Sequence, residues 1–304
     1  MSGSTPNRMR LGRRDRQGQL PCPGVELAPE WLRRVERLTL RVASVLERRE
    51  GAGRRGPMGG GDEFVGYRPY RAGEDLRQLD WGLLARLGKP FVRVCRRETS
   101  ELWSIFLDAS RSMGCGPPGK LQAAAELAGG LVATGLHQGA QVELVASSAA
   151  GPRRIRIRRR GDLPGLVDFL CGLQADDTHG MAAMLRSCRP GPTAGRVFLL
   201  GDLFDLVPDD VRALRAPGRE LALLQVLAPD ELAPTVDTHV DWRDPEGPGR
   251  RRVSLDGPVL ANYERALEEA LEVWDRLGRH ATITHVVHEA GHDFEDSLTR
   301  LLVP

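Results

Sequence analysis

An α/β fold, with a mostly parallel sheet flanked by helices, is predicted from three features of the 304-residue sequence. The apolar runs at 102–107 and 197–200 are short and nearly continuous, and each ends close to an aspartate. That is the pattern of strands buried on both faces. Between them, residues 121–136 are rich in Ala and Leu almost all round, as a buried helix is. Runs of the two kinds then alternate along the chain, which is the arrangement of crossover units around a parallel sheet.

Taken in order, residues 1–27 mix Arg, Gly, Pro and Ser without periodicity and read as a disordered basic tail. Residues 28–60 read as an amphipathic helix and a Gly/Arg linker. The helix is predicted from Trp31, Leu32, Val35, Leu38, Val42, Val45 and Leu46, which recur at helical spacing beneath an arginine-lined face. Residues 61–304 read as one α/β domain that includes an entry segment at 61–98. Strands are expected at 91–94, 102–107, 142–145, 197–200, 221–227 and 282–287. Ile155 and Ile157 alternate with arginines as an edge strand would. Helices are expected at 121–136, 163–173, 181–186, 263–277 and 294–302.

Composition excludes several classes. The chain is 41% hydrophobic and 28% charged, the profile of a soluble globular protein with a sizeable core. No run of about 18 strongly apolar residues is present to form a transmembrane helix. The Arg-rich first twenty residues lack the apolar stretch of a secretory signal. Cys22, Cys95, Cys115, Cys171 and Cys188 are odd in number and contain no C-x-x-C pair, so neither a disulfide framework nor a zinc ribbon is expected. A reducing cytoplasm is the expected compartment. The net charge of +2 hides an asymmetry. The first sixty residues carry 13 arginines against 6 acidic side chains, and the remainder carries an acidic surplus of five. Nucleic-acid binding through this Arg-rich N-terminus is therefore one functional alternative.

The sharpest chemical feature is Asp108-Ala109-Ser110-Arg111-Ser112, directly after the apolar run at 102–107. Ligands of open α/β sheets bind beyond the carboxyl ends of strands, and this is such a place. Ser110 and Ser112, two residues apart in a loop, can aim both hydroxyls at one point. One carboxylate and two hydroxyls form a hard, oxygen-only set suited to Mg²⁺. Further oxygen groups are expected from neighbouring strand ends, where Thr178 and Asp202 stand. The alternative is an ordinary turn in which Asp108 and Ser110 cap backbone amides.

The set Asp108, Ser110, Ser112, Thr178 and Asp202 resembles the metal-ion-dependent adhesion site of von Willebrand factor A domains. A longer string is more specific. Tyr67-Arg68-Pro69-Tyr70-Arg71-Ala72-Gly73-Glu74-Asp75-Leu76-Arg77-Gln78-Leu79-Asp80-Trp81, with Ala85-Arg86 and Glu98, is similar to the signature of the domain of unknown function 58 family. Lys120 and Tyr263 also fit that family's pattern. Gly201 stands where the family often has Ser, and His179 where Asp is frequent. The resemblance implies a von Willebrand A-like (Rossmann-like) fold, here with an N-terminal helical arm. It also implies Mg²⁺ as the metal, with Mn²⁺ or Ca²⁺ as substitutes, in a non-enzymatic binding or adaptor module. The implied partner is a MoxR-type AAA+ ATPase, together with a client that supplies a carboxylate to the metal.

Two motifs mimic other chemistries. His288-Glu289-Ala290-Gly291-His292 satisfies the H-E-x-x-H pattern of zinc hydrolases, which needs both histidines on one helical face. It follows a β-branched run and contains Gly291, so a strand-to-helix loop with exposed histidines is expected instead. Gly114-Cys115-Gly116-Pro117-Pro118-Gly119-Lys120 mimics a P-loop. However, Leu121 replaces the metal-binding hydroxyl, and the two prolines remove amides that a phosphate cradle needs. No G-x-S-x-G elbow and no catalytic acid–base pair is apparent.

Overall fold

The structure, a computed structural model, describes residues 24–50, 63–70, 80–96, 101–116, 119–234, 240–243, 250–253, 256–279 and 283–303. The tail before residue 24 and most of the 67–81 string lie outside the described residues.

The first helix, α1 (Pro29–Glu50), buries Trp31, Val35, Leu38 and Val42, one stripe at the 4-3-4 spacing of a helix face. Strand β1 (Glu63–Pro69) pairs antiparallel with β2 (Phe91–Arg96) in a small separate sheet. Helix α2 (Trp81–Leu87) connects them. Asp80, near the end of the sequence signature, caps that helix: its Oδ1 accepts the amide of Leu83 at 2.8 Å.

The main sheet begins with β3 (Leu102–Leu107), followed by a 3₁₀ turn and α3 (Lys120–His137). Then come β4 (Gln141–Ala146), β5 (Arg153–Ile157), α4 (Leu163–Cys171) and α5 (Gly180–Ser187). They are followed by β6 (Ala194–Gly201), α6 (Pro208–Arg212), β7 (Glu220–Leu227) and the short α7 (Pro229–Leu232). A two-stranded ribbon, β8 (Val240–Arg243) and β9 (Arg250–Val253), precedes α8 (Gly257–Arg279), β10 (Ile283–Glu289) and α9 (Phe294–Leu302).

The six main strands lie in the order β10-β7-β6-β3-β4-β5. All neighbours are parallel except β5, the antiparallel edge. From β3 the chain moves first to β4 on one side and later returns to β6 on the other. The crevice at the carboxyl end of β3 is therefore the topological switch point of the sheet. Side chains alternate across the sheet and feed two cores. Ile105 and Leu107 join the core beneath α1, α3, α4 and α9, whereas Phe106 joins the one that α5 and α8 cover.

Helix α1 is no free arm, since it is clamped against α3. A Cβ at Gly129 of α3 would fall 2.4 Å from the Trp31 ring. One at Gly130 would fall 2.5 Å from Leu298 of α9. Paired glycines thus let α1 and α9 approach α3 closely. Residues 24–27 follow the same course, with Val25 buried and the Glu26 amide donating to Gln122 Oε1 at 2.8 Å. The described helices include none long and apolar enough to cross a membrane.

Candidate metal site

Asp108 is the first residue past β3, and its amide still bonds the Leu200 carbonyl of β6 at 2.8 Å. The central position of β3 buries it to 1% exposure. Oδ1 accepts the Ser110 amide at 2.8 Å and, more weakly, the Ser147 hydroxyl at 3.4 Å. Asp108 thus takes the turn-capping role that the sequence left open, whereas the Ser110 side chain caps no amide of the turn that follows. Ser147, at the end of β4, also accepts the Ala109 amide at 2.8 Å.

Ser110 is fully buried, and its Oγ lies 2.9 Å from Ser112 Oγ at the start of the 3₁₀ turn. The two hydroxyls of the triplet therefore do converge. Burial pushes the Asp108 carboxyl up to about 7, and the charge of Asp202 adds to the push. Burial likewise raises Asp205, which sits in the loop after β6 with Oδ2 accepting the Ala182 amide at 2.8 Å.

The carboxylate of Asp202 is engaged elsewhere. Its Oδ2 accepts Lys120 Nζ at 3.0 Å, and the same ammonium reaches Glu231 Oε1 at 2.7 Å. The glycine before it has a steric reason: a Cβ at Gly201 would lie 2.6 Å from Asp108 Cβ. Gly201→Ala is accordingly expected to cost about 1–3 kcal/mol of stability through overpacking, measured by chemical denaturation.

Thr178 is exposed, with its hydroxyl 3.4 Å from His179 Nδ1. Its neighbour Asp177 is the residue that joins the Asp108 loop. Asp177 forms a parallel bridge with Ser110, accepts the Arg111 amide at 2.9 Å and is itself buried. Its Oδ1 accepts the His179 amide at 3.0 Å. Asp177, Ser147 and Asp205 were not singled out from sequence. Only Asp177 carried a usable signal, as the carboxylate adjoining Thr178.

The donor set at this crevice is oxygen-only, and its carboxyl is raised first by burial and second by the charge of Asp202. That fits a hard divalent cation, which would supply the missing positive charge. Asp108, Ser110 and Ser112 are the side chains able to hold it. Among the described residues no three His, Cys, Asp or Glu side chains group together as a metal site. A divalent ion bound here would be held by the Asp108 carboxylate and the Ser110 and Ser112 hydroxyls.

The H-E-x-x-H segment is not a loop with exposed histidines, as expected from sequence. Strand β10 runs through Glu289 because it pairs with β7 as far as Leu227. His288 is consequently buried, whereas His292 is exposed. Successive residues of a strand face opposite ways, and Gly291 then turns the chain at φ 93°. The helical face that a zinc hydrolase needs is absent here. His288 Nδ1 lies 2.9 Å from Ser297 Oγ, and both line a cavity of about 450 Å³ with Asp296 and Arg300.

Burial lowers His288 to about 4, so the folded protein keeps it neutral while the unfolded chain protonates near 6.5. Protonation therefore favours unfolding, and stability is lost as pH falls from about 6.5 towards 4. The expected loss is about 2–3 kcal/mol. Urea denaturation of wild type and His288→Gln at pH 7 and pH 4.5 checks this: Asp108 acts alike in both, so on acidification the wild type should lose about 2–3 kcal/mol relative to the variant.

A conserved hypothetical protein BatB from Bacteroides thetaiotaomicron has a solved structure with a TM-score of 0.40 and 16% identity. The alignment covers 66% of this chain and 96% of that one. An aerotolerance-related membrane protein from Bacteroides fragilis gives a TM-score of 0.38 and 17% identity, covering 67% and 98% of the two chains. No curated protein matches. The sheet order, with helices on both faces, is that of a von Willebrand A-like fold. The matched family model covers residues 66–273, and the chain belongs to the family it describes, Protein of unknown function DUF58.

Proposed function

We propose that the chain is a protein-binding adaptor that engages its partner through Mg²⁺ held at the β3 switch point. The observation that carries this is the placement of Asp108: a carboxyl buried at the end of β3, in one loop with two serine hydroxyls that lie 2.9 Å apart. Asp108 supplies the one direct negative charge, and Ser110 and Ser112 supply neutral oxygens. Thr178, exposed on one adjoining loop, and Asp202, tied to Lys120 on the other, are outer groups of the same proposed site and not direct ligands. A shell so poor in charge leaves the bound ion electrophilic, so a carboxylate from a partner protein gains a strong contact. The chain's part in the mechanism is to fix the oxygens on rigid strand ends. The Asp177 bridge and the Ser147 hydroxyl hold the loop in place.

The partner we propose is a MoxR-type AAA+ ATPase acting with a client that presents the carboxylate, in an assembly or chaperone-like role. No catalytic constellation enters this reading. Co-purification of that ATPase with the tagged chain, in Mg²⁺ and in EDTA, tests it. Capture in Mg²⁺ and loss in EDTA are expected, and equal capture in both would overturn the reading.

A further inference from the structure

The lysine at the start of α3 is the least ordinary group near this crevice. Lys120 is among the largest side chains buried without exposure. Its ammonium bridges Asp202 Oδ2 at 3.0 Å and Glu231 Oε1 at 2.7 Å. Two carboxylates on one ammonium offset the cost of burying it and keep it charged. Both acids are held in place. The Asp202 carbonyl accepts Gln225 Nε2 at 2.8 Å, and the Glu231 carbonyl accepts the Tyr263 hydroxyl of α8 at 2.6 Å. The ends of β6 and β7, the start of α3 and helix α8 thus meet around one ammonium.

Burying such a group costs desolvation that an apolar side chain would avoid, so stability alone is a poor reason for it. Resting on the proposed Mg²⁺ reading, we infer that Lys120 is a tethered cation that keeps Asp202 off the metal and so sets how tightly a divalent ion binds. The crevice is divided in two. The Asp108 half, with its serines, is left to the divalent ion, and the Asp202–Glu231 half is filled from within. The ion then meets one carboxylate that is not tied to an ammonium, rather than two. The consequence is weak, exchangeable binding and an ion with unspent charge for an incoming carboxylate. Without Lys120, Asp202 would stand as a second free carboxylate next to Asp108, whose Cβ packs against the preceding Gly201.

The test is Mn²⁺ titration of the full chain, with free Mn²⁺ read by electron paramagnetic resonance and folding read by circular dichroism. Lys120→Met is expected to tighten Mn²⁺ binding about tenfold or more by freeing one negative charge. Adding Asp202→Asn to Lys120→Met should remove that gain. A folded Lys120→Met chain with unchanged or weaker binding overturns the inference. Should Lys120→Met fail to fold, Glu231→Gln gives the second reading. It leaves the ammonium less neutralised and should weaken Mn²⁺ binding severalfold, and unchanged affinity overturns the inference. If wild type takes no Mn²⁺ but Lys120→Met does, the role of Lys120 stands and the proposed function falls. If wild type binds and neither variant shifts, the function stands and the role of Lys120 falls.

Discussion

Asp108→Asn is expected to raise the melting temperature of the metal-free protein and to erase the rise that Mg²⁺ gives the wild type. Both effects follow from one charge. Asp108 is buried beside Asp202, and its carboxyl is raised to about 7 from the ordinary 3.8. The unfolded chain ionises at the lower value, so the metal-free fold loses stability as pH rises from about 3.8 to 7. Above pH 7 the loss is constant, at about 2–4 kcal/mol. An asparagine removes that cost and keeps an oxygen to accept the Ser110 amide, which now bonds Oδ1 at 2.8 Å. It also removes the one direct charge available to the ion. Thermal unfolding of both proteins at pH 8, with Mg²⁺ and with EDTA, reads the two effects together. A variant that still gains stability from Mg²⁺ would move the ion away from Asp108.

Trp31→Ala is expected to cost about 3–5 kcal/mol, the range of a large-to-small change in a packed core. The side chain is 6% exposed and lies against the bare backbone of Gly129. Its indole nitrogen has no hydrogen-bond partner among the described residues, so the loss is one of packing. Urea denaturation followed by circular dichroism measures it. A loss below about 1 kcal/mol would make α1 peripheral, as the word arm suggests.

The alternation of strands and helices was legible because central parallel strands are apolar on both faces and cannot be mistaken for half-buried ones. The stripe of α1 was legible too, but what it packs on was not. That depends on Gly129 and Gly130, about a hundred residues away, which look like flaws in a helix until Trp31 and Leu298 fill the space. Strand β1 and the β8/β9 ribbon went unread, since short antiparallel strands depend on a partner more than on their own composition. At the site, Asp108, Ser110 and Ser112 were visible as a local triplet. The Lys120 contacts were not, because Asp202 and Glu231 lie 82 and 111 residues further along. The P-loop mimic drew notice to Lys120 for a chemistry it does not serve: its ammonium points to two carboxylates. His288 was misplaced because its strand is extended by pairing with β7, a contact 62 residues back in the chain.

Everything proposed for the β3 switch point requires that it take up a divalent ion. Isothermal titration of the full chain with Mg²⁺ tests it most directly, run beside Asp108→Ala. Wild type is expected to take up a single ion saturably in the micromolar-to-millimolar range, and the variant none. No uptake by wild type up to roughly 10 mM, or equal uptake by both proteins, would contradict it.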